Sequence, residues 1–313
     1  QSFAIAQYHG LAIQADASVA TWGLNQEGQQ DIPDGISNAI GVASGSRHNL
    51  VLKSDGTVVA WGAGEEDELN SGSWDNQNFG QSFVPEGLSG VVQIAAGNQH
   101  SLALKADGTV VGWGNNYYGN NDQYYGQATI PENLSDVIQI AAGGFYSLAL
   151  KSDGTIVHWG GYENIEDDIP EDLSGVIDIS AGYYFAVALK SNGSVVAFGN
   201  NSYGQTDVPS NLTDVVQVVA GYGSVSALKS DGTVVSWGNT AYGQTNVPSD
   251  LTDVVALGAD GGGQANTILA LKSDGSLTSW GDNGNGQGNV PDGYIRKPCD
   301  ECEGIIDECG VCG

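Results

Sequence analysis

The side chains able to do chemistry here are few in kind and unevenly placed: 4 His, 4 Cys, 37 Asp and Glu, and 13 Tyr among 313 residues. The cysteines form two C-x-x-C pairs in an acidic tail. A zinc ribbon separates its pairs by about 15–20 residues, so that two knuckles can face each other. Here the gap holds only Glu303 to Glu308. Disulfides among Cys299, Cys302, Cys309 and Cys312 are the better expectation, and their pairing stays open. The acid clusters Glu65-Glu66-Asp67-Glu68 and Glu166-Asp167-Asp168 lack the EF-hand spacing. They leave calcium as an option, and no other cofactor is expected. The chain has no HExxH, no phosphate-cradling Gly-Lys loop and no GxSxG elbow. An enzyme is therefore not expected.

The net charge is −28, with only nine Lys and Arg. Such a polyanion repels phosphate backbones and anionic membrane surfaces, which excludes nucleic acid as a natural partner. No apolar run approaches the roughly 18 residues that a membrane span needs. The chain contains no Met and starts at Gln1, so a processed N-terminus, most simply after loss of a signal peptide, is expected. Together with the cysteine tail this predicts a secreted or cell-surface protein.

These residues must be positioned by something, and the chain repeats. Trp22-Gly23, Trp61-Gly62, Trp113-Gly114, Trp159-Gly160, Phe198-Gly199, Trp237-Gly238 and Trp280-Gly281 end seven similar segments with a period near 40 residues. In the copy from Val215 to Pro248, Val215–Gly221 is a β-branched run and Val225–Lys229 a second strand. An Asp231-Gly232 hairpin then leads into Thr233–Gly238. Asp-Gly is a strong hairpin signal, read here as a turn with positive φ at both residues. Thr245-Asn246-Val247-Pro248 is expected as a short fourth edge strand.

Seven small antiparallel sheets predict an all-β, seven-bladed β-propeller over 1–297, followed by a short Cys-rich tail at 298–313. The first copy lacks its lead-in and the last runs past Pro291, so the C-terminal segment around Tyr294-Ile295 is expected to complete the first blade and close the ring. His9, His48 and His100 occupy one repeated place. A propeller sends them to different blades, so they read as strand-start residues that bond backbone, and not as a metal site.

The run Ala-Ala-Gly-x-x-His-Ser-Leu-Ala-Leu-Lys-x-Asp-Gly-Thr-Val-x-x-Trp-Gly at 95–114 resembles the regulator-of-chromosome-condensation repeat family. The Tyr-Gly-Gln-Thr-x-Val-Pro segments at 203–209 and 242–248 are similar to secreted bacterial propellers that inhibit β-lactamases. The founding family implies nucleotide exchange on small GTPases and chromatin binding. The absence of a basic surface argues against carrying these over. The inhibitor-like members imply protein binding through aromatic loops on one face.

Strand parity puts the Gly-x-x-His loops and the Tyr-Gly-Gln loops on one face, the loop face, and the Asp-Gly turns on the other. Twelve of the 13 tyrosines fall in the loop-face segments. Tyr203 and Tyr242 share a repeated place and read as loop packing. The candidates for contact with a partner are Trp74, Tyr117, Tyr118, Tyr124, Tyr125, Phe145, Tyr146, Tyr183, Tyr184 and Tyr222, since tyrosine and tryptophan give large contact area at low entropy cost. The partner is expected to be an extracellular protein or a glycan. The alternatives are a structural subunit joined through its tail, within a self-assembly or a larger parent chain, and an inhibitor of a secreted enzyme.

Overall fold

The computed structural model describes residues 2–64, 79–117, 123–161, 169–259, 263 and 266–291. These residues form seven separate three-stranded antiparallel sheets, each in simple sequence order. The inner strands are Phe3–Ile5, Ala39–Ser44, Val91–Ala96, Val137–Ala142, Val176–Ala181, Val215–Ala220 and Val254–Ala259. Inner strands of neighbouring blades pack against each other all the way round, blade 7 against blade 1 included. The result is a seven-bladed propeller whose inner strands line a central channel.

The core lies between blades. Each of the seven hydrophobic clusters joins two neighbours, as where Leu102 and Leu104 of blade 3 meet Val137, Ile140 and Trp159 of blade 4. The last cluster packs Leu269 and Leu271 of blade 7 against Phe3, Ile5 and Trp22 of blade 1, and so closes the ring. The expected closing segment at Tyr294-Ile295 lies outside the described residues, as do the four cysteines.

A second, polar joint repeats round the ring. The indole N–H of Trp61, Trp113, Trp159, Trp237 and Trp280 donates to the backbone carbonyl of Gln29, Gln81, Gln127, Gln205 and Gln244 respectively, at 2.9–3.0 Å. Each glutamine belongs to the loop of the preceding blade. Trp22 donates to Gln287 at 2.7 Å, so the seam between blades 7 and 1 uses the same joint. Blade 5 carries Phe198 instead. The loop before it has Ile165-Glu166 where the other six have Gly-Gln.

Two local expectations are corrected. The Thr-x-Val-Pro segments are not strands: Val208 and Val247 turn inward and pack on the interblade clusters. Val-Pro fills a gap at the blade's outer edge instead of adding a ladder that proline could not donate to. In the Asp-Gly hairpins only the glycine has positive φ, for example 76° at Gly56, while Lys53 N–H bonds Thr57 O. This is a three-residue loop ending in a left-handed residue. Its aspartate accepts from the Thr57 amide and hydroxyl at 3.0 and 2.5 Å. The degenerate first copy keeps the geometry with Ala17 at φ 62°.

Candidate functional site

The loop face is built on one local device. In each Gly-x-x loop the glycine N–H bonds the carbonyl three residues on, as Gly97 to His100 at 2.9 Å. The side chain at that third position folds back over the glycine. A Cβ on Gly97 would sit 2.1 Å from His100 Cε1, and one on Gly182 would sit 2.3 Å from Phe185 Cε1. The repeated histidine is therefore a wall between blades. His48 and His100 contact Ser101 and Ser147 of the next blade through Nε2, at 3.0 and 2.9 Å. Both hydroxyls already donate to glutamine carbonyls, so the Nε2 atoms carry the protons and donate. His9 reaches Asn49 Oδ1 at 2.7 Å in the same way. The partners are side chains of the next blade, not the backbone expected from sequence. Burial holds His9 down to about 4; burial first, then repulsion from the other histidines, holds His48 to about 3; burial holds His100 to about 3. All three are neutral structural groups at pH 7.

Tyr146 occupies this same place in blade 4. Its ring is 1% exposed and its hydroxyl donates to the Phe185 carbonyl. This corrects its expected place at the contact surface: the backbone bond from Gly143 turns Tyr146, like His48 and His100 at the same place, towards the neighbouring blade. Burial pushes its phenol well above the usual range.

The two residues between glycine and wall behave differently, and they gather the aromatic side chains. Tyr125, Phe145, Tyr183, Tyr222 and Tyr203 form one continuous tract across blades 3 to 6. Successive ring centroids are 6.2, 5.5, 5.2 and 6.4 Å apart, and Tyr184 lies edge-on to Tyr183 at 4.5 Å. These are favoured edge and tilted arrangements. Tyr183 and Phe145 are themselves buried. They serve as the base, while Tyr125, Tyr184 and Tyr222 are half-buried and Tyr203 is 50% exposed. Tyr117 and Tyr124 form a separate exposed pair, edge to face at 5.4 Å, held by Tyr124 Oη to Thr129 Oγ1 at 2.6 Å. Trp74 and Tyr118 lie outside the described residues.

Tyr183 also joins a polar bridge between blades. Ser46 of blade 2 donates to Asn98 Oδ1 of blade 3 at 2.5 Å, and Asn98 Nδ2 reaches Tyr183 Oη of blade 5 at 3.4 Å. Below this bridge the channel holds a cavity of about 160 Å³ lined by inner-strand alanines with Ser44 and Ser180. Arg47 stacks on Tyr8, 4.9 Å from the ring centre, and pairs with Glu27 at 2.9 Å. Among the described residues no three His, Cys, Asp or Glu side chains gather as a metal site, and both acid clusters lie outside them.

Sequence reasoning set Tyr203 aside and missed Ser46 and Asn98. Its signal was present as glycines in the neighbouring copies. A Cβ on Gly223 would meet Tyr203 Cδ2 at 2.9 Å, and one on Gly144 would meet the Tyr183 ring at 2.9 Å. Each glycine marks where a neighbour's ring lies.

Fold and site together define a repeat-built propeller with an aromatic face. The chain belongs to the regulator of chromosome condensation (RCC1) repeat family. The family's repeat matches residues 39–67, 91–120, 137–164, 176–205, 215–244 and 263–287, more than half of the chain. A comparison with curated protein sequences finds no significant match. Among solved structures, the chain is similar to the ectodomain of the Physcomitrella patens receptor kinase CR4. The TM-score is 0.69 and identity 21%, over 90% of this chain and 73% of that one. It is also similar to the ectodomain of the Arabidopsis thaliana receptor kinase ACR4, with TM-score 0.65 and 20% identity over 90% and 97% of the two chains. Prp20p from Saccharomyces cerevisiae matches with TM-score 0.65 and 19% identity over 91% and 82%. At these identities the likeness is one of fold.

Proposed function

We propose that this chain is a non-catalytic, extracellular binding propeller that engages a protein partner through the aromatic tract of its loop face. The observation that carries this is the tract itself: Tyr184, Tyr203, Tyr222 and Tyr125 present edges to solvent while Tyr183 and Phe145 fix them from below. Rings already held by ring contacts lose little entropy on binding, which is how anchor residues dominate an interface. The receptor-kinase ectodomains and Prp20p, a structure described with its binding to Gsp1p and histones, support a protein-binding use of the fold. The charge of −28 and the cysteine-bearing tail support an exterior setting. A glycan is the second reading. The exposed Tyr117–Tyr124 pair favours it, because an edge-to-face pair offers one free ring for a sugar to stack on.

The test is a screen of the full chain against arrays of secreted proteins and glycans, repeated with Tyr184→Ala/Tyr203→Ala/Tyr222→Ala. Partners of the loop face should lose at least about a hundredfold in affinity, at two or more kcal/mol for the best anchors, while the melting temperature stays within a few degrees. Partners bound equally by both proteins would sink the loop-face reading.

A further inference from the structure

The opposite face carries a feature that the loop-face reading leaves unused. The second residue of six inner strands is Ile40, Val92, Ile138, Ile177, Val216 or Val255, and each is 47–56% exposed. All six sit at the bulge where the inner strand enters its sheet, beside the Asp-Gly turns. They therefore ring the channel mouth on the turn face. Strand propensity alone does not explain them. The third residue of the seven outer strands, also on a sheet, varies among Thr21, Ala60, Gly112, His158, Ala197, Ser236 and Ser279, whereas the six ring positions never leave Ile and Val. Immediately outside each ring residue stands a lysine. Lys53, Lys105, Lys151, Lys190, Lys229 and Lys272 are the register partners of the strands' first residues. Five of them make 3.3–4.0 Å ion pairs with exposed turn aspartates. Such surface pairs are weak and re-pair readily. An exposed apolar ring inside a polar girdle is the pattern of a docking surface.

The chain's own course past the last blade supplies the occupant. From the loop proline to the ring residue the count is constant: Pro85 to Val92, Pro131 to Ile138, Pro170 to Ile177, Pro209 to Val216 and Pro248 to Val255 are each seven residues. The same count from Pro291 reaches Pro298, where the Cys-rich tail begins. The tail carries Asp300, Glu301, Glu303, Asp307 and Glu308 around Ile305-Ile306, with Val311 beyond and no Lys or Arg. Its 15 residues after Pro298 span up to roughly 50 Å when extended, enough to cross the mouth. We propose that the tail of this same chain docks on the turn face, with Ile305 and Ile306 on the aliphatic ring and its carboxylates among the six lysines.

The test is carbodiimide cross-linking of the full chain, read by peptide mass spectrometry. The existing Lys105–Asp107 and Lys229–Asp231 pairs, 3.5 and 3.3 Å apart, are the internal standard. In the monomer band, tail carboxylates should link to the ring lysines in yields comparable to that standard. Val92→Asp/Ile138→Asp/Val216→Asp should lower those links at least tenfold. Ile305→Asp/Ile306→Asp, which leaves every propeller residue in place, should do the same. Tail links found only in cross-linked dimers would assign the surface to a second copy and overturn the proposal. So would tail links to no ring lysine, or links indifferent to the tail variant.

Discussion

Replacing His100 with phenylalanine should reverse its contribution to stability between neutral and acid pH. Blade 5 already carries Phe185 at this place, so the ring fits. In the folded chain His100 is buried, neutral and held to about 3. In the unfolded chain it takes up a proton below its ordinary value of 6.5. A base depressed in this way gives stability that is complete above pH 6.5 and is lost as pH falls towards about 3. At pH 4.5, two units below the unfolded value, the loss is about 2.7 kcal/mol. The phenylalanine variant forfeits the bond to Ser147 Oγ, about 1 kcal/mol; that hydroxyl keeps its own donation to the Gln127 carbonyl. The variant should therefore be less stable than the parent by about 1 kcal/mol at pH 7.5, equal near pH 6, and more stable by about 1.5 kcal/mol at pH 4.5. Comparing two proteins at each pH cancels the carboxylates, whose titration relieves the −28 charge in both. Urea unfolding followed by tryptophan fluorescence measures the difference. A deficit that is the same at all three pH values would refute the buried neutral histidine.

Gly97→Ala should cost several kcal/mol, because its methyl would stand 2.1 Å from His100 and 2.6 Å from the Gly143 carbonyl; a melting temperature within two or three degrees of the parent would contradict this. Trp280→Phe should cost about 1–2 kcal/mol more than Trp113→Phe. The Gln81 carbonyl keeps Ser101 as a donor when the indole N–H is lost, while Gln244 has Trp280 alone. Equal costs in urea would show that orphaning the Gln244 carbonyl adds nothing, and would refute this reasoning. Tyr183→Ala should destabilise by about 3 kcal/mol, as removal of a buried aromatic ring does, and Tyr203→Ala by under 1, a contrast that calorimetry can read. Raising salt from 0.05 to 0.5 M should raise the melting temperature by screening a net charge of −28; a flat response would mean that the charges are already neutralised in the fold.

Blade number and strand order were legible from the sequence because repetition samples the same physics seven times. The loop face could be placed from strand parity alone. What parity could not separate was Phe145 from Tyr146. They are adjacent in the chain, but Phe145 sits inside the Gly-x-x loop under the aromatic tract, and Tyr146 is turned into the wall by the backbone bond back to Gly143. Tyr183 was read as a contact residue and is the buried base of the tract, since its neighbours Phe145, Tyr184 and Tyr222 come from three different blades. Such convergence depends on curvature round an axis, which no local pattern records. The fourth strand failed for a similar reason: Thr-x-Val-Pro has strand propensity, but Val208 and Val247 find burial by turning inward instead.

The indole joint has an evolutionary consequence. Its donor and its acceptor lie in successive repeats, so each repeat is anchored by the loop of the one before it. The one blade that holds Phe198 follows the one loop that has Ile165-Glu166 in place of Gly-Gln. The heritable unit of this ring is thus the seam between two copies, and because the acceptor is backbone, a duplicated copy that keeps its tryptophan and its loop shape brings a working joint with it.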